Sequence, residues 1–92
     1  MTSGAEYQVR LLSGAEKDLR RLDPEIARRI AGRLRWLASH FEDLQPEPLT
    51  GDLAGFFKLR VGSYRVVYEI LTEEKTILVH LIGHRRDVYR RR

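Results

Sequence analysis

Cysteine is absent from the 92 residues. That excludes a disulfide framework and a thiolate metal site, and it is compatible with a reducing compartment. Long apolar runs are absent too. No stretch approaches the roughly 20 residues that a membrane helix needs. The N-terminus, Met1 to Glu6, has neither a basic region nor an apolar one, so it does not read as a signal peptide. A cytoplasmic protein that engages no membrane is the expectation. Histidine is sparse: His40, His80 and His84 do not stand at metal-ligand spacing. Glu6, Glu69, Glu73 and Glu74 form no paired-carboxylate pattern, and Ser3, Ser13, Ser39 and Ser63 all fit helix, turn or tail positions. No metal or other cofactor is expected.

What remains is ordinary globular material with a basic bias. Hydrophobic residues make up 42%, and the length suits one domain, residues 1–92, with one modest core. The net charge of +4 favours a polyanionic partner through steering and counterion release. Five of the last eight residues are arginine: Arg85, Arg86, Arg90, Arg91 and Arg92. An acidic protein would neutralise that cluster as well as RNA would.

The order of elements reads as strand, two helices, then strands. Tyr7, Val9 and Leu11 alternate with polar residues, which predicts a short strand. Ser13 with Glu16 fits a capping box opening a first helix, whose stripe is Ala15, Leu19 and Leu22. Asp23 as N-cap and Pro24 at the first position start a second helix, running to about His40. Ile26, Ile30, Leu34, Leu37 and Phe41 lie on one of its faces, with Trp36 well off the stripe. Glu42 to Gly55, with two prolines and two glycines, reads as a connection. Strands are predicted over Phe56–Val61, Tyr64–Leu71 and Thr76–Ile82. The fold class is α+β: a mainly antiparallel sheet with an N-terminal helical hairpin packed on one face, in the order β-α-α-β-β-β.

The hairpin at Gly62-Ser63 carries the functional signal. Side chains alternate faces along a strand. Phe57, Leu59 and Val61 therefore share one face with Tyr64, Val66, Tyr68 and Ile70. Lys58, Arg60 and Arg65 share the other. A two-residue turn pairs Val61 with Tyr64 and Arg60 with Arg65. Carried across the next turn, the same register puts Val67 opposite His80 and Arg65 opposite Ile82. Two arginines directly across a strand pair repel. The expectation is an anion site, where a bound phosphate converts repulsion into attraction.

The segments Lys58-Leu-Arg-Val-Gly-Ser-Tyr-Arg-Val-Val-Tyr68 and Gly83-His-Arg-Arg-Asp-Val-Tyr89 resemble the RelE/ParE toxin superfamily, most closely its RelE-like branch. Tyr7-Gln8-Val9, Ala15 to Leu19 and Leu49-Thr50-Gly51 are similar to its usual layout. The resemblance implies the toxin of a type II toxin–antitoxin system. It would be a ribosome-dependent messenger-RNA endoribonuclease, held inactive by a cognate antitoxin in a toxin–antitoxin hetero-oligomer. Its partners would be that antitoxin, the ribosome and mRNA. By the same resemblance the catalytic set is Lys58, Arg60, Arg65, Arg85 and Tyr89, and His84 and Arg86 join Lys58, Arg60 and Arg65 in binding RNA. Metal-free cleavage by the 2′-hydroxyl would use Lys58 as base, favoured by its cationic neighbours. Arg65 would clamp the phosphate, Arg85 would stabilise charge, and Tyr89 would hold a base. A ParE-like inhibitor of DNA gyrase and a non-catalytic module that binds an antitoxin are the competing expectations. An acidic, apolar antitoxin segment would complement Arg28, Arg29, Arg33 and Trp36.

Overall fold

In the computed structural model, residues 6–91 are described. The N-terminal readings on Met1 to Ala5, Ser3 included, the side chain of Arg91 and the whole of Arg92 lie outside the described residues. The elements in chain order are β1 (Gln8–Leu11), α1 (Ser13–Arg21), α2 (Pro24–Ser39), β2 (Glu47–Pro48), β3 (Phe57–Val61), β4 (Tyr64–Leu71) and β5 (Thr76–His84). They build one sheet in the order β1-β5-β4-β3-β2. All neighbours are antiparallel except β1, which runs parallel to β5. Between those parallel strands the chain passes through both helices to the opposite edge of the sheet and returns through β2, β3 and β4. The architecture is α+β, as expected, with one strand more than the sequence suggests. That strand, β2, lies inside the segment read as a connection and pairs with β3 through Glu47–Lys58 and Pro48–Phe57. Its flanking prolines hide it, and a proline is tolerated there because β2 is an edge strand.

Helix starts follow two different rules. At α2 the Asp23 carboxylate accepts a hydrogen bond from the Glu25 N–H at 3.3 Å, and Pro24 opens the first turn. At α1 the expected capping box does not form: Leu12 occupies the cap position and no side chain caps the helix. Leu12 is still held as a strand residue, its N–H donating to Val79 O at 3.0 Å. The chain passes from strand to helix with no loop between, which places Ser13 inside the helix.

Ala15, Ile30, Leu34 and Leu37 from the helices meet Leu59, Val66, Tyr68, Ile77 and Val79 from one sheet face. Each buried aliphatic of this kind contributes about 1.5–3 kcal/mol. Asp18 is buried among them and accepts from the Ile82 N–H at 3.0 Å, tying α1 to β5.

The β3–β4 register is the expected one, with Arg60 opposite Arg65 and Val61 opposite Tyr64. Gly62 has φ of +59°, which suits the glycine-first turn of a two-residue hairpin. The register across β4–β5 differs from the expected one. Near the turn it is regular, with Leu71 opposite Thr76, but it shifts between Val67 and Tyr68. Val67 therefore faces Leu81 rather than His80, and Arg65 faces Gly83 rather than Ile82. His80 is the extra residue of a β-bulge, which turn length alone does not reveal.

Candidate functional site

Lys58, Arg60 and Arg65 project from the sheet face opposite the helices. Strand parity puts them there, and the observed register keeps Arg60 beside Arg65. Much of the repulsion between them is offset within the protein by a carboxylate. Glu47 on β2 accepts from Arg60 Nη2 at 2.8 Å and from Nε at 3.3 Å, a two-pronged ion pair. Its Oε2 also lies 3.6 Å from Lys58 Nζ. Arg65 turns the other way. Its Nη1 donates to the carbonyls of Gly62 and Tyr64 at 2.9 and 2.8 Å, folding the side chain over the hairpin turn.

The electrostatics follow from that carboxylate. The hydrogen bond from Arg60, opposed by some desolvation and aided by the charges of Arg60 and Lys58, holds Glu47 below the usual carboxylate range. The same bond pushes Arg60 further up. Behind the site, burial pushes the Tyr68 hydroxyl up to about 12, with the Glu47 charge adding to the effect. Glu47 is the functional candidate that sequence reasoning missed. The signal for it was Pro46-Glu47-Pro48, an extended carboxylate carrier followed within ten residues by the basic strand.

Tyr89 comes from the far end of the chain. It sits on a 3₁₀ turn, Val88–Arg91, that packs on β5 and is anchored by the fully buried Val88. Together with Lys58 and the loop 49–53 it lines a cavity of about 490 Å³. So Lys58 and Tyr89 are brought together at one cavity, with Arg60 on the same strand face as Lys58. Arg85 is exposed, and its N–H donates to Ser63 O at 2.8 Å, placing it beside the turn that Arg65 covers. Arg86 is exposed next to it. His84 is not brought to this face. It pairs with Tyr64 on the helix side, meets that ring edge-on at 5.6 Å, and its Nδ1 accepts from the Arg86 N–H at 3.2 Å. Among the described residues no group of three His, Asp or Glu side chains is placed to hold a metal ion. No helix among them is long and apolar enough to cross a membrane.

The family model described as the ParE toxin of the type II toxin–antitoxin system parDE matches residues 9–89. The chain belongs to the RelE/ParE toxin family. It is 36% identical over 91 residues to Toxin RelG of Mycobacterium tuberculosis, covering 92% of this chain and 98% of the relative. Its fold is similar to that in the toxin–antitoxin complex RelBE2 from the same organism, with a TM-score of 0.79, 31% identity, and 92% and 98% of the two chains covered. The archaeal RelE–RelB complex from Pyrococcus horikoshii gives a TM-score of 0.66 at 25% identity over 90% and 99%. The isolated Escherichia coli RelE toxin, at 21% identity and a TM-score of 0.69 over 85% and 83%, shares the fold. In this RelE/ParE chain the conserved architecture thus presents one face of cations and tyrosine away from the helices.

Proposed function

We propose that this toxin is a ribosome-dependent endoribonuclease that cuts mRNA without a metal. The observation that carries the reading is the meeting of Lys58 and Tyr89 at one cavity, with Arg60 on the same face of β3 as Lys58, Arg65 opposite it, and Arg85 at the adjoining turn. In the reaction the 2′-oxygen bonds to the adjacent phosphorus and the bond from phosphorus to the 5′-oxygen breaks. The products are a 2′,3′-cyclic phosphate and a 5′-hydroxyl. The step needs an acceptor for the 2′-hydroxyl proton, positive charge for the phosphorane oxygens and a donor to the leaving oxygen.

The ion pair gives Lys58 the contact of an ammonium, which suits phosphate binding better than proton abstraction. We assign the role of proton acceptor to Glu47, the carboxylate joined to Arg60 and Lys58. A substrate phosphate drawing Arg60 and Lys58 to itself would release the carboxylate for that task. Arg65 clamps the phosphate, Arg85 stabilises the leaving oxygen, which takes its proton from water, Arg86 holds the flanking backbone, and Tyr89 stacks a base. The RNA-binding role expected of His84 would require it to leave the helix side.

A cognate antitoxin is the second partner we propose, on the ground that the RelBE2 and archaeal relatives are toxin–antitoxin complexes. The α2 surface offers it Arg28, Arg29 and an exposed Trp36 lying under Arg33 and stacked on His40. A toxin that acts on the ribosome would work in the cytoplasm, which is the location we propose. The gyrase-directed reading draws on the parDE description of the matching family. Cleavage of mRNA on programmed ribosomes by wild type, Glu47→Gln, Lys58→Ala and Arg65→Ala tests the proposal, beside a gyrase supercoiling assay. Wild-type cleavage with losses in all three variants is expected. Intact mRNA with inhibited gyrase would replace this reading by the other.

A further inference from the structure

A smaller cavity, of about 190 Å³, opens on the same sheet face between Leu53, Phe56, Val67, His80 and Leu81. It adjoins the cleft of Lys58 and Tyr89, because Leu53 lines both. The bulge in β5 helps to make it. With Val67 opposite Leu81 and Tyr68 opposite Val79, the consecutive residues His80 and Leu81 both line the cavity. A regular strand sends consecutive side chains to opposite faces. Re-aiming a side chain in this way is a recurrent use of bulges beside functional sites.

The cavity has an aromatic wall, an apolar floor and one oriented polar group. Phe56 meets the His80 ring edge-on, with centroids 4.8 Å apart and planes at 80°. Val67 beneath is 1% exposed. His80 Nε2 lies 3.0 Å from Glu69 Oε1. An ionised carboxylate only accepts, so Nε2 carries a proton and Glu69 sets the ring's orientation. Glu69 is the hydrogen-bond partner of His80 among the described residues, which leaves Nδ1 for a ligand.

We propose that this cavity is a nucleobase subsite. It would take the base of a nucleotide next to the phosphate held at Lys58 and Arg60, and so contribute to sequence preference. The volume is below the roughly 300–1,000 Å³ of sites for drug-sized ligands and suits a single planar ring system. An aromatic side chain with one edge-reading polar atom is how unstacked RNA bases are held. The proposal rests on the RNA reading of the neighbouring cleft.

The test is titration of the ¹⁵N-labelled full chain with uncharged nucleosides: adenosine, guanosine, cytidine and uridine. Lacking phosphate, they are not drawn to the basic face. Saturable amide shifts at Phe56, Val67 and Leu81, unequal among the four, are the expected result. Phe56→Leu should weaken the best nucleoside by roughly fivefold or more, the loss of one base-stacking contact. His80→Gln, which keeps a hydrogen-bonding side chain, should alter the order of preference among the four. Shifts confined to Lys58 and Tyr89, or none at the solubility limit, would overturn the subsite. Cleavage of mRNA without nucleoside shifts here would remove the subsite and keep the ribonuclease. Nucleoside binding here without any cleavage would do the opposite.

Discussion

Glu47 and Arg60 are joined by two hydrogen bonds, at 2.8 and 3.3 Å, between the edge strand β2 and its neighbour β3. The protein thus carries its own anion at the edge of its basic face. Any phosphate that binds there competes with a carboxylate that is already in place.

Glu47→Gln should separate binding from cleavage. Losing one negative charge about 6 Å from a phosphate in water is worth roughly threefold in affinity. Oligonucleotide binding should therefore tighten, while cleavage drops by about 10²–10⁴, the usual contribution of a general base. Fluorescence anisotropy with a non-cleavable 2′-deoxy oligonucleotide and cleavage on programmed ribosomes measure the two effects. Tighter binding with full cleavage would return the base to Lys58.

Arg65→Ala should lose cleavage by about 10²–10³, as expected for one preorganised charge donor. Its two bonds to turn carbonyls are partly exposed, so the stability cost should stay near 1 kcal/mol. Urea denaturation beside the cleavage assay separates the two. A variant that unfolds early and cleaves normally when folded would make Arg65 a turn anchor only.

Asp18→Ala should destabilise the fold by about 2–4 kcal/mol. A buried carboxylate is lost together with the hydrogen bond it accepts from Ile82 N–H. The midpoint in urea should fall with an unchanged slope. A shift below 0.5 kcal/mol, the scale of an ordinary surface change, would deny Asp18 its anchoring role.

Tyr68 gives a pH signature. Its folded pKa of about 12 exceeds the ordinary 10.0, so the folded state holds this proton more tightly than the unfolded chain does. That stability is fully present below pH 10, and it is lost as pH rises toward 12. Tyr68→Phe should be the less alkali-sensitive of the two proteins over this window. Parallel alkaline melting curves for wild type and variant would show that Tyr68 contributes nothing to the loss.

How much of this was legible in the sequence depends on distance along the chain. The break at Asp23-Pro24, the stripe Ile26 to Phe41, the turn at Gly62-Ser63 and the pairing of Arg60 with Arg65 were all readable. Each rests on caps, periodicity or turn length, which act within a few residues. The sequence by itself therefore determined the order of elements apart from β2, the α+β class and the side of the sheet on which Lys58, Arg60 and Arg65 stand.

Tertiary structure decided the rest. β2 is a strand because the β3 edge offers it hydrogen bonds, although Pro46 and Pro48 argue against one locally. Leu12 displaces Ser13 from the cap because β5 holds it. The bulge at His80 turns His84 toward the helices and opens a second cavity. Tyr89 meets Lys58, 31 positions earlier in the chain, because Val88 is buried against the sheet. These contacts complete hydrogen bonds and bury apolar surface between segments far apart in sequence, and no local pattern records which distant partner will be there.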